Sequence, residues 1–204
     1  MLLFLDVVSP IPEFFVIEDN KLIYNQKITK KPQDKLSDHI FQVYTKMEKK
    51  FNFSDNLKKI AITTGPGSYT SLRVGAAFIS GIHISKKIVF YPFSIKDILK
   101  FKSQEVQNYR TGIYIHSANN QDFFCSIDSM GKTIFLKIDN NNFIIPSEIS
   151  TIYYNYKKID FNLKNIKQIK FSFIEEFINN YKKLVFNQIG IIEPIYISNN
   201  KILN

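Results

Sequence analysis

The residue types best suited to chemistry gather in one stretch, KKIAITTGPGSYTSLRVGAAF, where a Gly-Pro-Gly turn separates a strand-like run from a helix start. Gly65 and Gly67 let the backbone come close to an anion, and the first unpaired N–H groups of the helix, at the positive end of its dipole, would point at it. Ser68 and Thr70 sit where hydroxyls cap a helix. The pattern is no Walker loop, because no Gly-Lys-Ser/Thr follows, and it lacks the third glycine and trailing acid of a dinucleotide fingerprint. A phosphate seat and a plain structural turn both stay open from the pattern itself.

Other constellations carry less. The three histidines, His39, His83 and His116, never recur at the i, i+3 or i, i+4 spacing that brings two ligands to one metal, so each reads as a structural or surface residue. Cys125 is the single cysteine, which excludes an internal disulfide and the cysteine clusters that hold zinc. Ser68 lies in G-P-G-S-Y rather than in the G-x-S-x-G elbow of a hydrolase, and capping accounts for it without chemistry. Asp6, Asp122 and Asp128 fall on separate strand-like runs, and an acid–base pair among them needs a closeness that only folding supplies.

The elements that position these residues belong to a chain of 204 residues, 45% hydrophobic and 15% aromatic, enough for one domain or two joined lobes around a sizeable core. No stretch reaches the roughly eighteen apolar residues that cross a bilayer, and the start MLLFLDVVSP lacks the basic flank of a signal peptide, so a cytoplasmic location without membrane contact is expected. The net charge of +9 suits a polyanion such as RNA. The lysines are scattered, however, and the bias toward Lys, Asn, Ile and Phe also fits an AT-rich coding sequence.

LLFLDVV, FFVIE and KLIYNQKI, parted by SPIP and by Glu18-Asp19-Asn20, predict a three-stranded antiparallel opening. Leu36, Ile40, Val43, Tyr44, Met47 and Phe51 recur on one helical face between Lys35 and Phe51, with Phe41 well off that stripe. KKIAITT predicts a strand, Tyr69 to about Ser85 a second long helix, KIVFY another strand, and Ser94 the cap of a short helix, IKDILKF. That second long helix is apolar nearly all round: Leu72, Ala76, Ile79 and His83 lie on one side, with Val74, Ala77, Phe78 and Gly81 on the other. Such a helix is expected to be covered on both sides, by its own sheet and by either an internal layer or a partner, with Gly75, Ala76, Ala77 and Gly81 small enough for close approach. GIYIHS, DFFCSID and KTIFLKI predict a further antiparallel sheet, with a turn through Ser129, Met130 and Gly131. After an Asn-rich loop at 139–142 come a helical spacing in FIEEFINNYKKL and a closing segment EPIYIS. The polar stretch 101–111 marks a lobe boundary that divides the chain into 1–103 and 104–204, and no internal repeat is visible in the sequence.

Gly65-Pro66-Gly67-Ser68-Tyr69-Thr70 followed by Leu72-Arg73-Val74-Gly75 closely resembles the G-P-G-S-F-T-G-L-R-I-G signature of the TsaB (YeaZ) family. LLFLDVV echoes that family's opening ILAIDTS, Pro32 to Asp38 its H-S-E-x-L-L-P helix start, and Pro194-Ile195-Tyr196-Ile197-Ser198 its closing P-x-Y-L-R. The resemblance is strong over residues 1–100, thin in the middle and renewed at the end. It implies an α/β, actin-like and Hsp70-like (ASKHA) ATPase fold of two related lobes with a reduced C-terminal one. It further implies a non-catalytic subunit that pairs with the TsaD-type catalytic subunit and works with a TsaE-type ATPase. That machinery forms N6-threonylcarbamoyladenosine at position 37 of tRNA, so tRNA is met through the complex, and the chain alone would be able to form a homodimer. By that resemblance Asp6 and Gly65 to Thr70 form a phosphate-like loop, and no cofactor is required, although a nucleotide at the subunit interface stays open. The partner surface would comprise Ile40, Phe41 and Tyr44 of the first helix and Leu72, Arg73, Gly75, Ala76, Ile79 and Ser80 of the second. Val7 and Val8 stand where the family has Thr and Ser, Pro32 where it has His, and Ser71 where it has Gly; productive ATP chemistry is therefore not expected. An active kinase or ATPase on the same fold and a basic RNA-binding module are the competing readings.

Overall fold

The computed structural model describes residues 1–106, 110–128, 130–138, 144–159, 166–188, 191–198 and 201–203. Ser129 of the expected turn and the Asn-rich loop at 139–142 lie outside the described residues.

The opening forms as its hydrophobic runs predict. β1 (Leu2–Asp6), β2 (Glu13–Glu18) and β3 (Lys21–Lys27) pair antiparallel, with Leu5 opposite Phe14 and Phe14 opposite Gln26. The left-handed conformations of Asp19 and Asn20 turn β2 into β3, as the tolerance of Asp and Asn for that region allows. α1 (Leu36–Phe51) and the single turn α2 (Phe53–Asn56) then lead to β4 (Lys59–Thr63), which lies parallel to β1. α3 (Tyr69–Lys86) carries the chain to β5 (Val89–Phe93), parallel to β4, giving the order β3-β2-β1-β4-β5.

Both faces of this sheet are covered, which is why all five residues of β1 are buried. Phe14 and Phe90 meet α1 and α3 on one face: the Phe14 ring lies 6.3 Å from Tyr44 and 5.9 Å from Phe78, and Phe90 4.8 Å from His83. Phe4 and Phe93 look the other way, 4.8 and 5.4 Å from Phe177 of α5 (Phe173–Asn179).

Ser94 and Asp97 exchange hydrogen bonds at the start of α4 (Ile95–Val106), the Ser94 N–H donating to the carboxylate at 2.7 Å and the Asp97 N–H to the hydroxyl at 3.4 Å. This is a reciprocal cap. α4 runs through residue 103 and packs against β6 (Thr111–Ser117) and β7 (Gln121–Ile127).

The second sheet has the order β10-β9-β6-β7-β8, with β8 at Thr133–Ile138, β9 at Thr151–Tyr154 and β10 at Lys167–Lys170. β6, β7 and β8 are antiparallel, whereas β9 and β10 run parallel to β6. Strand for strand this repeats the first sheet: a meander of three, then two parallel additions, then a helix, α4 in the first case and α5 in the second. The repeat is one of topology, not of sequence. The crossovers differ: α1 and α3 serve the first sheet, while among the described residues those of the second carry no helix.

Candidate functional site

The Gly-Pro-Gly turn sits at the C-terminal ends of β1 and β4, where an open parallel arrangement ordinarily receives ligands. Gly65 has φ +106°, and a Cβ there would stand 2.8 Å from the Ile195 carbonyl oxygen, so only glycine fits. The Gly65–Pro66 peptide is cis.

The polar groups of this turn are engaged from within. The N–H of Val7 donates to the Thr63 hydroxyl at 2.9 Å, and those of Val8 and Ser9 donate to the Asp6 carboxylate at 2.9 and 3.2 Å. The Thr63 hydroxyl donates to that same oxygen at 3.0 Å. Burial pushes the Asp6 carboxyl up from its ordinary range, against the lowering effect of the Ser9, Val8 and Thr63 hydrogen bonds. Ser68 does not cap α3 with its side chain. Instead its N–H donates to the hydroxyl of Ser117 at 2.9 Å, so β6 of the second lobe reaches the residue that precedes the helix start. Gly67 lies against Val8, its Cβ position 3.5 Å from the Val8 Cα. The closing segment adds a strap: the Ile195 N–H donates to the Thr64 carbonyl at 2.7 Å, and the Tyr196 ring lies 4.7 Å from that of Tyr69. Among the expected loop residues Tyr69 and Thr70 are exposed, while Asp6, Gly65, Pro66, Gly67 and Ser68 are buried.

The expected partner surface is divided by the fold. Five of its residues are corrected to core: Ile40, Leu72 and Ile79 are at most 1% exposed, Tyr44 is 7% exposed, and Gly75 is buried. Tyr44 packs in an aromatic group with Phe14, Phe53 and Phe78. Gly75 serves a close approach, but to its own sheet: a Cβ would stand 2.7 Å from Val7 Cγ1 and 3.1 Å from Ile62 Cδ1. Ala76 and Ser80 are half-buried. Phe41 is 69% exposed, its ring 5.2 Å edge-on to Phe78, and Arg73 is exposed with its guanidinium donating to the Tyr69 hydroxyl at 3.1 Å. The outer side of α3 is thus Arg73, Ala77, Gly81 and Ile84, all exposed, so this helix is covered by its sheet and by α1 but not all round.

Sequence spacing missed one cluster. His116 on β6 faces Asp122 on β7, Nδ1 to Oδ1 at 2.5 Å, and the Tyr114 hydroxyl also donates to Asp122. Tyr156 stacks on the imidazole at 5.6 Å, and Asn155 clamps the His116 backbone, accepting from its N–H at 2.8 Å and donating to its carbonyl at 2.9 Å. The signal was available, since two strands joined at 118–120 place 116 opposite 122. Because side chains alternate along β6, His116 lies on the opposite face from Ser117 and takes no part in the Gly-Pro-Gly turn. Asp6, Asp122 and Asp128 do not meet: Asp128 accepts from the N–H groups of Met130 and Lys132 in its own turn. His83 bonds the Ile88 carbonyl, and His39 is exposed. Among the described residues no three His, Cys, Asp or Glu side chains gather as a metal site, and no helix is long and apolar enough to cross a membrane.

A sequence profile of the family described as TsaD, tRNA N6-adenosine threonylcarbamoyltransferase, matches residues 23–195. The chain belongs to the TsaD family. No curated protein sequence matches it. Its fold is similar to that of YeaZ from Pseudomonas aeruginosa, with a TM-score of 0.61 at 11% identity over 96% of this chain and 99% of that one. A second structure, titled an uncharacterised protein with similarity to peptidase YeaZ from Pseudomonas aeruginosa, gives the same score and identity over 97% and 99%. Membership of the TsaD family accounts for the duplicated two-sheet, actin-like architecture, and the YeaZ-like fold extends over both lobes.

Proposed function

We propose that this chain is the TsaB-type, non-catalytic partner of a TsaD-type catalytic subunit, acting with a TsaE-type ATPase in forming N6-threonylcarbamoyladenosine at position 37 of tRNA. The observation that carries the reading is the engagement of the opening turn. Three successive N–H groups, of Val7, Val8 and Ser9, donate to Thr63 and Asp6 of the chain itself, and the N–H of Ser68, just before α3, is taken by Ser117. An ATPase of this fold needs such groups for phosphate. Here an incoming phosphate would have to break internal hydrogen bonds in a buried setting, and two valines replace the expected hydroxyls.

The partner surface then consists of the exposed seam of α1 and α3: Phe41, Arg73, Ala77, Gly81 and Ile84, with Ala76 and Ser80 at its edge. A large aromatic side chain 69% exposed beside a strip of small residues fits a helix-on-helix contact. Phe41→Asp places a charge at this anchor and gives up only its edge-on contact with Phe78. We expect the variant to keep its circular dichroism melt and to lose at least about tenfold in affinity for the catalytic subunit, measured by pull-down and size-exclusion. Steady ATP turnover by the pure chain, or unchanged pairing by the folded variant, contradicts the proposal.

A further inference from the structure

Among the described residues β3 is the outer strand of the first sheet and has a strand partner on one side only. Such an edge presents unpaired backbone donors and acceptors. Its register with β2 shifts at Ile23, so the pairing is regular from Tyr24 to Lys27. Between that half of β3 and α1 lies a groove of about 230 Å³ lined by Tyr24, Gln26, Val43, Lys46, Met47 and Lys50. Its floor is apolar and its charges are of one sign. Glu48, the acid nearest in sequence, is paired with Lys86 at 3.3 Å, and among the described residues neither Lys46 nor Lys50 has a carboxylate within ion-pair distance.

We propose that this groove binds an extended peptide of acidic character, which adds to β3 as a further strand. Successive same-side residues of a strand stand about 6.6 Å apart, while Lys46 and Lys50, one helical turn apart, are separated by about 6 Å along α1. Two carboxylates at alternate positions of the peptide therefore match the two ammonium groups, and the methylene stems of those same side chains lie against Val43 and Met47. This is recognition by strand addition, in which the backbone supplies affinity and alternate side chains supply choice. A second copy of this chain is a poor occupant, because its net charge is +9 and Lys21 and Lys27 bound the strand that would pair with itself. RNA is disfavoured because Lys50 Nζ caps the Tyr24 ring at 3.7 Å and Phe51 packs against it at 5.2 Å, which takes away the stacking platform a base would use.

The test uses the full chain and a labelled, end-capped nonapeptide alternating glutamate with valine, followed by fluorescence anisotropy at low and moderate salt and by amide hydrogen exchange. Binding that slows exchange in residues 24–27 is expected. The double variant Lys46→Glu, Lys50→Glu, checked for folding by circular dichroism, should weaken binding by about tenfold or more. Methylating alternate amides of the peptide should do the same with the protein untouched, since it removes the backbone bonds alone. The proposal is overturned if the peptide fails to bind, if the lysine–valine analogue or the methylated peptide binds equally well, or if an oligouridylate binds more tightly and loses that affinity in the lysine variant.

Discussion

Asp122 is held by two donors, the His116 imidazole and the Tyr114 hydroxyl, with Lys157 Nζ 3.8 Å away. Burial alone would raise its carboxyl, but these hydrogen bonds and the His116 and Lys157 charges outweigh it and hold the group below its ordinary value of 3.8. The depressed value sets the sign of the pH effect. A carboxyl that titrates lower when folded contributes stability in full above about pH 4, and the contribution is lost as the pH falls through the folded value. Asp122→Asn should cost about 1–3 kcal/mol at neutral pH, the usual penalty for upsetting a buried hydrogen-bonded pair. It should also flatten the decline of stability below about pH 4, followed by urea unfolding across pH. An equal decline in both proteins would assign the acid sensitivity to other carboxylates. No spacing rule within one element finds this pair, because the hairpin register, not helical periodicity, brings position 116 opposite 122. The Ser117 hydroxyl on the Ser68 N–H is of the same kind: forty-nine positions separate them, and only the approach of the two lobes makes them neighbours.

α1 and α3 show how far periodicity reaches. The stripe Leu36, Ile40, Tyr44 and Met47 was legible in α1 and is buried, and Phe41, off that stripe, is exposed. α3 has too little polar character to declare its inner face: glycine and alanine stand on both sides of it, and composition does not say which of them the backbone of another element approaches. The fold assigns that role to Gly75, against Val7 and Ile62, and leaves Gly81 with nothing within 4 Å of a Cβ. Gly75→Val should therefore act as a core overpacking change, costing about 1–3 kcal/mol, whereas Gly81→Ala should be neutral or slightly stabilising by the difference in helix propensity. Thermal melts of the two variants separate these outcomes; a Gly75→Val protein with unaltered stability would show that α3 does not lie this close to β1.

At the scale of the whole molecule the two sheets are tied by α4, which joins β5 to β6, and by α5, which returns from the second sheet to pack on β1. Lys102 of α4 and Glu176 of α5 form a buried ion pair at 2.7 Å between them. Glu176→Ala removes one partner of a desolvated pair and should cost about 3–5 kcal/mol, read as a shift of the urea midpoint, with Glu176→Gln milder; a loss below about 1 kcal/mol would class the pair with exposed ones. The sequence by itself determined the strand–helix order through β8 except for the single turn α2, together with the antiparallel opening, the capped start of α4 and the family signature, since each rests on local periodicity or on turn chemistry. Past residue 140 the parallel strands β9 and β10 are only four residues long, too short for a pattern, and the repeat of one topology in both lobes leaves no trace in side chains that pack differently. Whether the Gly-Pro-Gly turn is open or engaged and which face of α3 is free were decided by tertiary structure alone. In both cases the deciding neighbour, Ser117 or Val7, lies far away along the chain, and its distance in space has no counterpart in local sequence.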